Sequence, residues 1–173
     1  MNYGDKEVVF YEESDVQEEK EEVVITAAEY VVLMLENDEI AFRNPTYQKI
    51  FNHYSGLVHN DKPIEVRSLM LNTDVDIVET VVTLSAQKYE LSENWKLKHK
   101  IYVSTEDMKL KFALEHSVLA FQLNKVELSI QEIQNKLKSS DIEGDVTELL
   151  SSQLTFIELK KMISDKLNRV ILK

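Results

Sequence analysis

The last part of the chain, residues 105–173, has the sequence pattern of two long helices joined by one short break. Mostly apolar positions recur at alternating spacings of four and three, as in a coiled-coil seam. In the first helix they are Phe112, His116, Leu119, Leu123, Val126, Ile130, Ile133 and Leu137, and in the second they are Phe156, Lys160, Ile163, Leu167 and Val170. The short break at 138–145 contains Gly144, which predicts an antiparallel hairpin.

Such a hairpin cannot enclose its own apolar surface, because two helices cover only one stripe of each other. Further apolar residues lie off the seam, at Leu128, Leu149, Leu150, Leu159 and Met162. They are either ordinary flanks of the helices or part of a docking face. The pattern therefore predicts that the hairpin needs a body at one end and a partner, which favours an interaction protein over an enzyme.

Capping signals divide the preceding residues, 23–104, into a helical bundle. Thr26 and Glu29 have the spacing of a capping box, Asn44 precedes Pro45 as an N-cap, and Asp74 opens a further helix. The apolar piece at 66–71 is of ambiguous type, and the inward face of the helix after Asp74 is predicted to comprise Ile77, Val78, Val81, Val82 and Leu84. The chain has only 3 Gly and 2 Pro, which favours helices over a β-sandwich. The sequence predicts an all-α fold, with a bundle subdomain at 23–104 and a long helix with a C-terminal antiparallel helical hairpin at 105–173.

Residues 1–22 are predicted to form an extended acidic arm or linker. Residues 6–11 favour either a short strand or an arm packed on the body. Residues 12–22 contain seven acids and one lysine, a composition typical of a solvated linker and also compatible with an acidic binding tail.

Charge is unevenly distributed along the chain. The formal net charge is −11, of which residues 1–104 carry −10 and residues 105–173 carry −1. Nonspecific binding of duplex nucleic acid needs cations that face phosphates, so this balance argues against it. A nearly neutral, apolar-striped hairpin on an acidic body is what a protein-docking arm requires.

The residue types used in catalysis and metal binding form no recognisable site in this sequence. The chain has no cysteine, which excludes thiol catalysis and Cys-based zinc sites. The four histidines, His53, His59, His99 and His116, match no metal-binding spacing, and no phosphate loop, dinucleotide fingerprint or nucleophile elbow is present. We therefore expect no catalytic residue, metal or cofactor. Without an apolar run of about 18 residues or a signal peptide, we expect a cytoplasmic protein that does not contact a membrane.

One segment, residues 94–102, alternates cations with apolar and aromatic groups. Trp95, Lys96, Lys98 and Lys100 have the residue types that bind single-stranded nucleic acid by stacking and phosphate contact. The alternative is that Trp95 and its apolar neighbours pack inward while the lysines face water. The acidic balance of the chain favours the second interpretation.

The same segment carries a resemblance to a known family. Residues 89–106, YELSENWKLKHKIYVSTE, are similar to the C-terminal region of bacterial DNA primases of the Bacteroidetes type, in the DnaG family. Residues 44–51, NPTYQKIF, resemble the second helix of that region, and residues 165–171, DKLNRVI, resemble its closing residues. Residues 2–7, NYGDKE, resemble a join that follows an apolar helix in the family, so the resemblance implies a preceding helix.

The resemblance implies a noncatalytic, helicase-binding domain that makes no primers itself. In the family a helical bundle precedes a hairpin that docks on the N-terminal domains of the hexameric DnaB-type replicative helicase and couples primer synthesis to unwinding. From position and helical geometry, the expected contact residues are Ile157, Lys160, Lys161 and Ser164 on the exposed side of the second hairpin helix, and Ile142 and Leu149 around the hairpin tip. The alternatives are a single-strand-binding module and an unrelated helical adaptor or self-associating hairpin.

Overall fold

The computed structural model describes residues 3–13, 20–86, 98, 100, 109–138 and 146–168. The chain forms two compact units, residues 1–114 and 115–173. Within the described residues there are six helices and one two-stranded sheet. The predicted predominance of helices is confirmed, but the all-α prediction missed the sheet. The predicted subdomain boundary at residue 104 lies outside the described residues.

The sheet is an antiparallel hairpin at the start of the first unit. Strand β1 is Glu7–Glu13 and strand β2 is Lys20–Thr26, with Val8 opposite Ile25 and Phe10 opposite Val23. Both strands contain β-branched residues, and β1 also contains Phe10 and Tyr11; these residue types favour pleated backbone. The short strand that was one alternative for residues 6–11 is confirmed by β1, whereas the linker predicted for residues 12–22 is wrong for the end of β1 and the start of β2. The acidic composition of 12–22 concealed the second strand.

One face of this hairpin packs on the first helix, α1, which is Ala27–Asn37. The Phe10 ring stacks on Tyr30 with centroids 4.5 Å apart, and Val8 is buried. Lys111 Nζ lies 5.0 Å from the centroid of the Phe10 ring, a cation–π contact. Because a two-stranded hairpin is marginally stable by itself, these contacts with α1 and Lys111 supply much of its support.

Three helices of the first unit begin as their capping residues predict. In α1 the Thr26 hydroxyl accepts from the Glu29 amide at 3.2 Å and the Glu29 carboxylate accepts from the Thr26 amide at 2.6 Å. Helix α2 is Pro45–Val58, and Asn44 caps it. Helix α4 is Val75–Ser85, and Asp74 caps it. A short helix, α3, at Val66–Met70 lies between them, in a segment whose type the sequence left open.

Helices α2 and α4 are linked by an ion pair, in which Lys49 Nζ donates to Asp74 Oδ2 at 2.6 Å. This hydrogen bond holds the pKa of Asp74 below its ordinary value and raises the pKa of Lys49. The resulting stabilisation is lost as the pH falls through the lowered pKa of Asp74, and also as it rises through the raised pKa of Lys49. The pair therefore joins the two helices throughout the neutral range.

The core of the first unit lies between α2, α3 and α4. It contains Ile50, Leu69, Ile77 and Val81, of which Leu69 and Val81 are completely buried. The predicted inward face of α4 also included Val78, Val82 and Leu84. Val82 and Leu84 are instead about half exposed, because the apolar arc of α4 spans about half of its circumference and the core covers only the middle of that arc.

The second unit is the predicted hairpin. Helix α5 is Leu110–Lys138, which begins in the first unit, and helix α6 is Val146–Lys166. One buried cluster joins the two helices and contains Leu123, Val126, Ile130, Ile163 and Leu167, with Leu119 and Phe156 against it. The end of α6 thus contacts the middle of α5. A parallel arrangement would require the seven residues between the helices to span roughly 40 Å, which is beyond the reach of an extended chain of that length. The two helices are antiparallel, as predicted.

Some details of the predicted seam differ from the structure. Phe112 is 58% exposed, although the heptad spacing placed it inside. Phe112 is the first residue of the heptad pattern. It lies more than one turn before Leu119, which is the first seam residue that packs on the cluster. The predicted caps at 104–107 and 145 and the seam residue Val170 lie outside the described residues.

Candidate docking surface

The structure separates the six residues predicted to contact a partner. Ile157 and Lys161 lie on exposed parts of α6, whereas Leu149 is half-buried. Lys160 and Ser164 belong to the side of α6 that faces inward, for the reasons given below. Ile142 lies outside the described residues.

Lys160 forms an ion pair across the hairpin. Its Nζ lies 3.0 Å from Glu127 Oε1 of α5, and the two side chains are 30% and 40% exposed. A partly exposed pair of this kind contributes about 0–1 kcal/mol to stability. Lys160 therefore aligns α6 with α5, and its charge is already matched within the hairpin.

Ser164 is 2% exposed, so the expectation that it lies on the outer side of α6 is wrong. It follows Lys160 by four residues and precedes Leu167 by three, which places all three on one helical face. Leu167 belongs to the buried cluster. The burial of Ser164 thus follows from the same periodicity that defined the seam.

A row of exposed apolar side chains runs along α6 beside its buried face. Val146, Leu150, Leu154 and Ile157 are 41%, 47%, 64% and 45% exposed. Their spacings of four, four and three keep them within one stripe of the helix. We call these four residues the α6 stripe, and Lys161 lies one turn beyond its end.

The α6 stripe is only partly recognisable in the sequence. Ile157 was expected at the contact and Leu150 was noted as an off-seam residue, whereas Val146 and Leu154 were missed. Once Phe156 and Ile163 are assigned to the seam, the spacing of four, four and three is the signal that could have identified the stripe. Sequence periodicity does not, however, show how much of the α6 surface the facing helix covers.

Two more large apolar side chains of α6 are exposed outside the stripe. Leu159 and Met162 are 39% and 60% exposed. Leu159 follows Leu150 by nine residues, about two and a half turns, so the two lie on opposite sides of the helix. They therefore offer a control surface of similar composition on the same helix.

The two helices of the hairpin differ sharply in what they expose. Within their described residues, α6 exposes six large hydrophobic side chains over 21 residues, whereas α5 exposes only Phe112 over 29. Scattered exposed apolar residues are normal, but a periodic row along one helix is typical of a surface that another molecule covers. The docking candidate is thus α6.

The charged groups around the α6 stripe are mixed. Glu148 lies in the first turn and Lys166 in the last, the order that suits a helix dipole. Lys161 and Glu158, next to the stripe in sequence, are both exposed. The stripe therefore has no strong field of one sign, and burial of its apolar groups has to dominate any association.

In the first unit, histidine, serine and glutamate side chains, which are residue types common in catalysis, make contacts between helices. His59 Nδ1 lies 2.8 Å from the Ser55 carbonyl oxygen and Nε2 lies 3.4 Å from Glu36, while the Ser55 hydroxyl donates to Glu36 at 2.6 Å. His53 Nε2 lies 3.0 Å from the Ser68 hydroxyl. These contacts join α1 with α2 and α2 with α3.

The described residues contain no group of three or more His, Cys, Asp or Glu side chains placed to hold a metal. Nor does any helix within them combine the length and the apolar character needed to cross a membrane. Of the segment proposed to bind nucleic acid, Lys98 and Lys100 are exposed, and Trp95 and Lys96 lie outside the described residues.

The fold is that of a helix-dominated protein of two units, with a row of exposed apolar side chains on α6. The chain belongs to the family described as Domain of unknown function (DUF8430), whose model matches residues 1–170. Comparison with curated proteins and with solved structures gave no match.

Proposed function

We propose that this chain is a noncatalytic module that docks on another protein through α6. The observation that carries the proposal is the α6 stripe, a periodic apolar row beside the face of the helix that packs on α5. An amphipathic helix that lays such a row into a groove is a common form of peptide and protein recognition.

The partner in this proposal is the hexameric DnaB-type replicative helicase. It comes from the resemblance of residues 44–51, 89–106 and 165–171 to the C-terminal region of DNA primases. The division into a first unit and a helical hairpin supports the comparison, since that region has a bundle followed by a hairpin. In this role the chain couples primer synthesis by a primase to unwinding at the replication fork.

The contact residues in this proposal are Leu150, Leu154 and Ile157, with Lys161 at the edge. Fully burying an exposed Leu or Ile side chain gains about 1.5–3 kcal/mol, and these three have about half or more of that surface left to bury. Such apolar anchors surrounded by polar residues commonly supply most of the energy of an interface. Lys161 is exposed and contributes orientation and association rate more than affinity.

The test compares two double variants on opposite parts of α6. Leu150→Gln with Ile157→Gln removes half of the α6 stripe, and Leu159→Gln with Met162→Gln removes equally exposed apolar groups outside it. Surface plasmon resonance with the immobilised hexameric helicase measures the affinity of each full-length chain. We expect the first pair to weaken binding at least about 30-fold and the second pair less than about threefold.

Equal losses from the two pairs, or unchanged binding by the stripe variant, would contradict the assignment. Absence of binding by the wild-type chain would reject the helicase as partner. Point variants are preferable to deletion of α6, because deletion would uncover Leu123, Val126 and Ile130 of α5 and promote aggregation. Circular dichroism melting checks that all variants stay folded.

A further inference from the structure

Helix α4 in the first unit has an apolar arc that spans about half of its circumference, although only part of that arc is covered. Ile77 and Val81 enter the core, and the helix also carries Val75, Val78, Val82 and Leu84. A short helix rich in β-branched residues has a low intrinsic propensity and depends on tertiary burial. Apolar groups on its outer side add little to that burial.

Two valines on the outer side of α4, Val75 and Val82, are strongly exposed. Val75 is 74% exposed and Val82 is 50% exposed, and Glu79 lies between them at helical spacings of four and three. Leu71, four residues before Val75 and immediately after α3, is 75% exposed. Leu71 and Val75 are the most exposed large hydrophobic side chains among the described residues. We call Leu71, Val75, Glu79 and Val82 the α4 surface.

A shallow groove of about 390 Å³ lies beside the α4 surface, between α2 and α4. Tyr47 and Leu84, 42% and 51% exposed, supply apolar walls, and Asp76 and Glu79 supply carboxylates. None of the described residues that line it is basic. Lys49, on the neighbouring helix, is already bound to Asp74 at 2.6 Å.

The segment of the chain that contains α4 carries charge of one sign. No lysine or arginine occurs from residue 68 to residue 86, where three acids are present. Two copies of this surface would bring Asp76 and Glu79 of each copy together, which disfavours self-association. An apolar surface with the carboxylates of Glu79 and Asp76 at its edge is instead complementary to a segment with apolar and cationic side chains.

We infer that the α4 surface and its groove bind a basic amphipathic helix of a partner protein. Its apolar side chains would cover Val75, Val82 and Leu71, and its Lys or Arg side chains would pair with Glu79 and Asp76. This second contact is on a different unit from the α6 stripe. It does not depend on the helicase proposal.

The probe is a fluorescein-labelled 18-residue helical peptide of leucine and lysine, with a leucine and glutamate peptide of the same pattern as its counterpart. Fluorescence anisotropy with the full chain in 150 mM NaCl measures binding. Val75→Gln with Val82→Gln removes the apolar row, and Glu79→Lys reverses the central charge. We expect each change to weaken binding of the basic peptide at least about tenfold, with no binding of the acidic peptide.

Glu65→Lys is the matched control, since Glu65 is an exposed carboxylate of the same unit that makes no capping hydrogen bond for α3. We expect it to change the affinity less than about twofold at this salt concentration. Equal losses with Glu65→Lys and Glu79→Lys would show attraction to overall charge and overturn the inference. Unchanged peptide binding by the variant with both valine substitutions would also overturn the inference. The same holds if sedimentation shows a dimer of the wild-type chain that dissociates when the valines are substituted. Leu150→Gln with Ile157→Gln should leave peptide binding intact, which separates this test from that of the helicase.

Discussion

Helices α5 and α6 of the hairpin share one seam but differ in how they use the rest of their surface. Within its described residues α5 buries Val118, Leu123, Val126, Ile130 and Ile133 and exposes Phe112, whereas α6 buries Ile163 as its only hydrophobic residue and exposes six. A helix can thus be held firmly by a narrow contact and keep most of its apolar surface outside. We interpret α5 as the support and α6 as the helix that meets a partner.

The largest expected effect comes from the seam of α6. Ile163→Ala removes a side chain that is 7% exposed and lies in the buried cluster, so we expect a loss of about 2–4 kcal/mol of unfolding free energy. Ile157→Ala, a matched change at 45% exposure, should lose less than about 1 kcal/mol. Urea denaturation followed by circular dichroism measures both. Similar losses would break the distinction between seam and stripe.

The buried position of Ser164 gives the next effect. Ser164→Leu forces three extra carbons into a site that is 2% exposed, and we expect a loss of about 1–3 kcal/mol from overpacking. Ser164→Ala fits the same space and should stay within about 1 kcal/mol of wild type. Thermal melting of the two variants tests this. A leucine variant as stable as wild type would indicate that residue 164 lies on the exposed side of α6.

The ion pair between Lys160 and Glu127 should contribute less. Lys160→Gln, Glu127→Gln and the double variant form a cycle, from which we expect a coupling of about 0–1 kcal/mol. The coupling should decrease in 1 M NaCl, because both side chains are partly exposed. A coupling of several kcal/mol, insensitive to salt, would mean that Lys160 belongs to the core of the hairpin.

The smallest effect on stability should come from the α6 stripe itself. Leu154→Gln replaces a side chain that is 64% exposed with a residue of similar helix propensity. We expect the unfolding free energy to change by no more than about 0.5 kcal/mol. A loss above about 2 kcal/mol in urea denaturation would indicate that Leu154 is buried within this chain, and the stripe would no longer be a docking surface.

The sequence predicted the seam well because heptad spacing depends only on residues within each helix. Leu123, Ile130 and Ile163 are buried as expected, and the caps at Thr26, Asn44 and Asp74 form as expected. These features rest on local chemistry, in which each residue and its partner are a few positions apart.

Features that depend on which surface a neighbour covers were harder to predict. Strand β2 pairs with β1 across an acidic stretch, and the composition of that stretch indicated a linker. Val82 and Leu84 are apolar like the buried Val81, and only the packing of α2 and α3 decides which of them is covered. The extent of the α6 stripe was hidden for the same reason, since α5 covers only one edge of α6.

Cysteine footprinting tests most directly whether α6 is the docking helix, because the chain has no cysteine of its own. Leu150→Cys and Leu159→Cys place single thiols on opposite sides of α6 at similar exposure. The measurement is the rate of maleimide labelling of each chain, by mass spectrometry, with and without the hexameric helicase. We predict that the hexamer slows labelling at position 150 at least about tenfold and leaves position 159 nearly unchanged. Saturating binding without protection at position 150, or with equal protection at both positions, would contradict the account.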